Sequence, residues 1–341
     1  MKTRSLVFAG IAGMILSAAG SAFSDDGTGS FYGKIYSDWY YDIGDSTPSK
    51  KEITKHSEFE ISRVYLGYKY TINETFGVNA LLDVGRSNLT TDAGKTDKRY
   101  FAFLKTAQFT WKNIVPYTTL NFGQIGCFAF NVQEGFWGHR YLYASLMDKM
   151  GWENSADLGA SFLIAPNDMI KITAGVFNGE GYKNPQDDFG NYRPSLSLQI
   201  NPVKDFTLYV YGDWMPIGKD GESSQSTASV FAGYNILGKA KIGVEYDAQM
   251  KQAGVEDHDV GGLSIVGMYN ISDPFEIFAR FDMMTSKDDW NTSKDGQTVI
   301  AGFQYKPVSK VKIALDFQHS LLKADDAIAS DRIYLNGEFD Y

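Results

Sequence analysis

The 341-residue sequence contains one cysteine and nine prolines, and no apolar run reaches the roughly 18 residues of a membrane-spanning helix. The lone Cys127 excludes an intramolecular disulfide framework and reads as a small buried hydrophobe. The four histidines, His56, His139, His258 and His319, stand far apart, with no second ligand at metal spacing. No metal and no cofactor are expected. His319 and Ser320 are adjacent, so on a strand they face opposite ways and cannot act as a nucleophile–base pair without a bulge. No enzymatic activity is expected. Asp187-Asp188-Phe189-Gly190 and Lys287-Asp288-Asp289-Trp290 lack EF-hand ligand spacing and read as solvated loop carboxylates. A basic excess is also missing. The formal charge is −9, more negative still without Lys2 and Arg4, which disfavours a nucleic-acid partner.

What is present is glycine and aromatics, with 34 Gly, 21 Tyr and 23 Phe, a composition of many short strands and turns. Residues 1–24 have the layout of a secretory signal peptide. Lys2 and Arg4 precede the apolar stretch Leu6–Leu16, and Ala22-Phe23-Ser24 offers a small-residue cleavage site. Residues 25–341 show no linker, charge block or break in composition, so one domain is expected there.

Period-two segments recur through that domain. Ala240, Ile242, Val244, Tyr246, Ala248 and Met250 alternate with Lys241, Gly243, Glu245, Asp247, Gln249 and Lys251. Val311–Gln318, Phe275–Met283, Phe206–Trp214 and Arg193–Ile200 behave alike. Successive strand side chains point to opposite faces, so each is a ribbon apolar on one side and polar on the other. Sixteen candidate strands follow, near 30–42, 57–71, 74–86, 99–112, 116–126, 155–165, 168–178, 191–201, 205–215, 226–237, 239–251, 259–271, 274–285, 297–306, 309–320 and 331–341.

Their connections alternate between tight turns, such as Ile72-Asn73-Glu74 and Ser272-Asp273-Pro274, and long polar loops. The long ones are Gly44–Lys55, Ser87–Lys98, Asn178–Asn191, Pro216–Ser226, Ala253–Asp257, Lys287–Gly296 and Leu322–Ser330. Short turns at one end and long loops at the other are the mark of a bacterial barrel. No amphipathic helix is evident to cover so much apolar sheet, and strands of this length match a tilted bilayer crossing. In lipid the sheet must close, because unpaired amides are too costly. Trp39-Tyr40-Tyr41, Phe109 with Trp111, Trp214 and Tyr341 stand where interfacial aromatic girdles belong. The expected fold is therefore an all-β transmembrane antiparallel barrel of about 16 strands.

The segment Ile333–Tyr341 resembles the closing strand of bacterial outer-membrane barrels, in which a terminal aromatic serves as an assembly signal. A soluble sandwich strand would share its pattern. In the barrel reading it pairs with the strand near 30–42, placing Ile333, Leu335, Phe339 and Tyr341 toward lipid and Arg332, Asn336 and Glu338 toward the lumen. The partners expected are outer-membrane lipid and lipopolysaccharide, with small ions and solutes inside.

The longest interruption, Cys127–Asn154, is rich in aromatics and charge, and Tyr141–Met150 has the pattern of a short helix. A barrel of 16 strands encloses an aqueous channel. Folded inward, this loop sets the narrowest point; folded outward, it caps the barrel or meets a neighbouring subunit. The inward position is expected. Its Arg140, Lys149 and Glu134 would then face Arg63, Lys69 and Asp83 on the wall as a pore constriction.

Phe59–Lys69, Leu120–Gln124, Ser155–Ala160 and Val176–Gly181, in that order, resemble motifs of the phosphate-selective (O/P-type) porin family, over roughly residues 57–182. The resemblance implies a 16-stranded channel, usually a homotrimer, with basic residues along the passage. The chain departs from that pattern. On the lumen parity, Lys34, Arg63, Lys69, Lys112, Arg193, Lys241, Arg280, Lys312 and Arg332 are mixed with Asp38, Asp83, Glu245, Asp247, Asp282, Asp316 and Glu338. Selectivity depends on uncompensated charge along the passage, so a hydrated wall of compensated charges is expected in place of a phosphate trap. The functional expectation is an outer-membrane porin for passive diffusion of ions and small hydrophilic solutes, with anions such as phosphate among the candidates. A surface adhesin or envelope scaffold with a closed pore is the alternative.

Overall fold

The computed structural model describes residues 27–46, 56–86, 99–324 and 329–341. The expected leader at 1–24 and parts of the loops at 47–55, 87–98 and 325–328 lie outside the described residues. Sixteen strands form one closed barrel. They are β1 (Thr28–Ser46), β2 (Ser57–Thr71), β3 (Phe76–Arg86), β4 (Tyr100–Lys112), β5 (Thr118–Gly126), β6 (Ala156–Asn167), β7 (Ile170–Phe177) and β8 (Arg193–Ile200) in the first half. The second half holds β9 (Phe206–Ile217), β10 (Ser223–Ile236), β11 (Ala240–Met250), β12 (Val260–Ser272), β13 (Phe275–Ser286), β14 (Gly296–Val308), β15 (Val311–Leu322) and β16 (Ala329–Asp340). Each strand pairs antiparallel with its sequence neighbours, and β1 pairs with β16 to close the ring.

The burial pattern is inverted relative to a soluble protein. On β11, Ile242, Val244 and Tyr246 are exposed on the outer face, while Glu245, Asp247 and Gln249 are buried inside. Phe59, at 81% exposure, and Phe122, at 60%, continue the outer apolar surface. A sheet of this extent with that polarity belongs in a bilayer, where lipid covers the apolar face and closure pairs every edge.

The seam is held by Tyr341. Its backbone exchanges hydrogen bonds with Gly33, N to O at 3.1 Å and O to N at 3.2 Å. The ring lies so close over Gly33 that a Cβ there would sit 2.3 Å from it, which is why glycine is needed. The Tyr341 hydroxyl then donates to the Tyr65 carbonyl at 2.9 Å, reaching across β1 to β2.

Two details depart from the period-two reading. β9 and β10 run on to Ile217 and back from Ser223, so the expected Pro216–Ser226 loop shrinks to 218–222. The paired residues Ser223, Ser224 and Gln225 carry no apolar alternation to announce a strand. Bulges also interrupt several ladders: one leaves Ser62 of β2 opposite no single partner, and another does the same for Lys105 of β4. An extra residue of this kind reverses the facing of everything beyond it.

Candidate functional site in the barrel lumen

Between β5 and β6, residues 127–155 fold against lumen-facing side chains of strands all around the barrel. The segment contains α1 (Asn131–Trp137) and α2 (Leu146–Met150). The helix expected over Tyr141–Met150 forms only in its last turn. Leu142 and Tyr143 instead bond back to His139 O, and Trp137 Nε1 takes the Tyr143 carbonyl at 3.1 Å. Fixings to the wall are spread along the segment. Gln133 Nε2 donates to Ser229 Oγ on β10 (2.9 Å), and Tyr141 Oη donates to Gln304 Oε1 on β14 (2.9 Å). Lys312 Nζ on β15 donates to Gly138 O (3.1 Å), Gln249 Nε2 on β11 to Trp152 O (2.9 Å), and Arg193 Nη1 on β8 to Glu153 Oε1 (2.7 Å).

Part of the segment packs tightly against β7–β13. Leu146 and Met147 are fully buried against Phe177, Tyr209, Tyr211, Phe231, Val260 and Met284. Arg193, Glu245, Arg280 and Asp282, expected on a solvated pore wall, lie under this packing at 3%, 5%, 3% and 3% exposure. The correction has a physical cause. Strand parity reports that a residue faces the lumen, but not whether water or protein occupies that part of it.

Toward β1, β2, β15 and β16 the lumen is looser. A cavity of about 560 Å³ is lined by Tyr36, Asp38, Arg63, Arg140, Tyr143, Asp148, Lys149, Tyr334 and Asn336. On the short-turn side of the segment, a second cavity of about 730 Å³ is lined by Trp137, His139, Lys241, Glu276, Lys306 and Lys312. Of the expected constriction residues, Arg63, Arg140 and Lys149 share the first cavity. Arg140 is clamped by Glu134 (2.5 Å) and by Asp148. Arg63 Nη1 binds Asp83 Oδ2 at 2.7 Å. Lys69 does not join them. It is six residues further along β2 than Arg63, roughly 20 Å in an extended strand, close to the turn at 72–75. Lys112 likewise ends β4 at a short turn, exposed.

Of the remaining wall residues, Lys34, Lys312 and Arg332 are compensated by carboxylates. Lys34 pairs with Asp340 (3.0 Å) and Glu338 (3.4 Å), Lys312 with Glu338 (2.7 Å), and Arg332 with Asp42 (2.5 Å). Lys241 Nζ lies 5.8 Å from the centre of the Phe136 ring; Asp316, also expected on a solvated wall, is buried at 3% exposure and accepts from the amides of Gln318 (2.9 Å) and Asn336 (2.6 Å).

Two functional side chains escape a parity reading. The bulge on β4 re-aims Lys105 inward, where its ammonium stands 5.0 Å from the Tyr65 ring centre and 5.7 Å from that of Tyr182. The second comes from the β7–β8 connection, which also enters the lumen. Tyr182 Oη donates to Asp83 Oδ2 at 2.5 Å, and Lys183 lies over Phe103 (5.1 Å) and Tyr182 (5.4 Å). Among the described residues no carboxylate lies within ion-pair distance of Lys105, Lys149 or Lys183. Burial, with Arg280 and Arg332 near by, pushes the Lys149 ammonium below the usual lysine value. Burial, and then Arg63, does the same to Lys183. Burial raises the Glu134 carboxyl, against the pull of Arg140. The signal that could have found Lys105 is its place among Phe101, Phe103, Lys105 and Gln108, a run that breaks strict alternation.

Comparison with known proteins agrees with this architecture. Residues 210–327 match the family of OmpA-like transmembrane domains. No curated protein matches the chain by sequence. Among solved structures, OprB of Pseudomonas putida superposes with a TM-score of 0.66 at 9% identity, over 92% of this chain and 94% of that one. OmpF of Salmonella typhi, in complex with daunomycin, gives 0.66 at 10% identity, over 94% and 99%. OmpT of Vibrio cholerae gives 0.59 at 16% identity, over 94% and 99%. The likeness is one of fold. These are outer-membrane barrels, and the chain shares their closed antiparallel architecture over nearly its whole length.

Proposed function

We propose that the chain is a porin-type channel of a bacterial outer membrane, through which ions and small hydrophilic solutes diffuse passively. The observation that carries this reading is the division of the lumen: a segment anchored on one side leaves polar, tyrosine-lined space against β1, β2, β15 and β16. Discrimination follows from the size of that space and from the charges bordering it, Arg63, Arg140, Asp148 and Lys149. The resemblance to phosphate-selective porins enters through Lys105, Lys149 and Lys183, which form no ion pair with a carboxylate among the described residues. They favour a modest anion preference over a cation one. A homotrimer in contact with lipopolysaccharide is the assembly this reading carries; one solved form of Vibrio cholerae OmpT is described as a trimer.

Single-channel recording in planar bilayers tests the proposal. Stepwise conductance is expected, with a reversal potential in a salt gradient on the anion side. A correctly folded but electrically silent barrel would instead favour the scaffold or adhesin reading.

A further inference from the structure

Where the lumen segment rejoins the wall at β6, Glu153 is enclosed by groups from every element packed on it. Arg193 of β8 donates to Oε1 at 2.7 Å and stands 3.8 Å from Asp157 of β6. Asp213 and Tyr211 of β9 complete the shell, with Tyr211 Oη donating to Asp213 Oδ2 at 2.8 Å, and Cys127 of the segment itself lies beside Arg193. Glu153, Asp157, Arg193 and Asp213 are exposed by 4%, 2%, 3% and 9%. Three carboxyl groups thus share one guanidinium in a site without solvent. Asp157 is already satisfied, since its two oxygens accept from the backbone N–H groups of Leu158 and Gly179, both at 2.7 Å. Glu153 and Asp213 are different. Their carboxyl groups interact directly beside Arg193, and Glu153 Oε2 and Asp213 Oδ1 find no donor among the neighbouring groups. Two carboxylates are acceptors only, and a bond between them requires a hydrogen on one.

We propose that Glu153 and Asp213 form a proton-binding site, a single shared proton fastening the end of the lumen segment to β9. One proton satisfies both orphaned oxygens and lowers the surplus of negative charge around Arg193 from two to one. Burial, ahead of the opposing pull of Arg193, holds the Glu153 carboxyl well above the usual glutamate value. The sign follows from that direction. A carboxyl raised in the folded state contributes stability that is fully present below the ordinary glutamate value and is lost as pH rises through the raised one. Deprotonation leaves two like charges at hydrogen-bond range in a dry site, so the fastening loosens under alkaline conditions. A similar pair lies on β11: Glu245 and Asp247 are buried within the field of Arg280, and Glu245 Oε1 and both Asp247 oxygens find no donor.

The experiment compares the intact barrel with Glu153→Gln and Asp213→Asn, each of which replaces the shared proton by an amide N–H and keeps the shape. Infrared spectra at neutral pH should show a protonated-carboxyl band that loses one group's intensity in both variants. Hydrogen exchange of the backbone at 150–155 should be faster in the wild type than in Glu153→Gln at alkaline pH and equal at neutral pH. An unchanged infrared band in the variants, or equal exchange at alkaline pH, overturns the proposal. Neither readout needs ionic current, so failure of the channel reading would leave this test intact.

Discussion

In one half of the lumen, around Arg193 and Arg280, the inward side chains are packed as in a soluble core, whereas in the other, around Arg63 of β2, they border open space. The arginines register the contrast. The side chains of Arg193 and Arg280 are 3% and 2% exposed, and those of Arg63 and Arg332 are 29% and 40%. All four are paired, but the pairing does different things. In the filled half a guanidinium neutralises carboxylates that have no water, and the cost of removing it is the cost of a bare buried charge. In the open half the pairs are partly solvated, so they shape the local field more than they hold the fold. The same residue type on the same face of the same sheet is therefore structural on one side and electrostatic on the other.

Substitutions should separate the two halves. Arg193→Ala leaves Glu153 and Asp157 beside no cation and should destabilise the barrel by about 3–5 kcal/mol, read from urea unfolding in detergent micelles. If it is tolerated without a shift of the midpoint, the filled half is wetter than its packing indicates. Tyr182→Phe removes a donor from Asp83, which is only 1% exposed, and should cost about 1–3 kcal/mol. Because that bond ties the β7–β8 connection to β3, single-channel conductance should rise as well. Lys105→Ala should have the smallest effect on stability, about 0.5–1 kcal/mol from its ring contacts. Its reversal potential should nevertheless move toward cations. No movement would mean that Lys105 stands outside the path of the ions.

The sixteen strands were legible because an apolar surround imposes period two on every crossing, and residues such as Val244 and Tyr246 declare it. Barrel closure was legible for the same reason, since a ribbon with those faces has no open-edged solution in lipid. The site was legible only in part. Arg63, Arg140 and Lys149 were placed together by parity and by the length of the 127–154 interruption. Arg193 and Arg280 were misjudged because alternation distinguishes inside from outside, but not full from empty. Lys105 was missed because a bulge is a single-residue event that leaves composition unchanged. Tyr182 was missed because its partner, Asp83, is a hundred residues away along the chain, and no local pattern links them.

The anchoring of the lumen segment on β8, β10, β11, β14 and β15 has a mechanical consequence. A hollow cylinder yields to side pressure by becoming oval, and it bends most where its wall is least braced. Here a strut of packed side chains spans part of the bore, tied to β8, β10, β11, β14 and β15, so the barrel resists becoming oval along the directions that strut crosses.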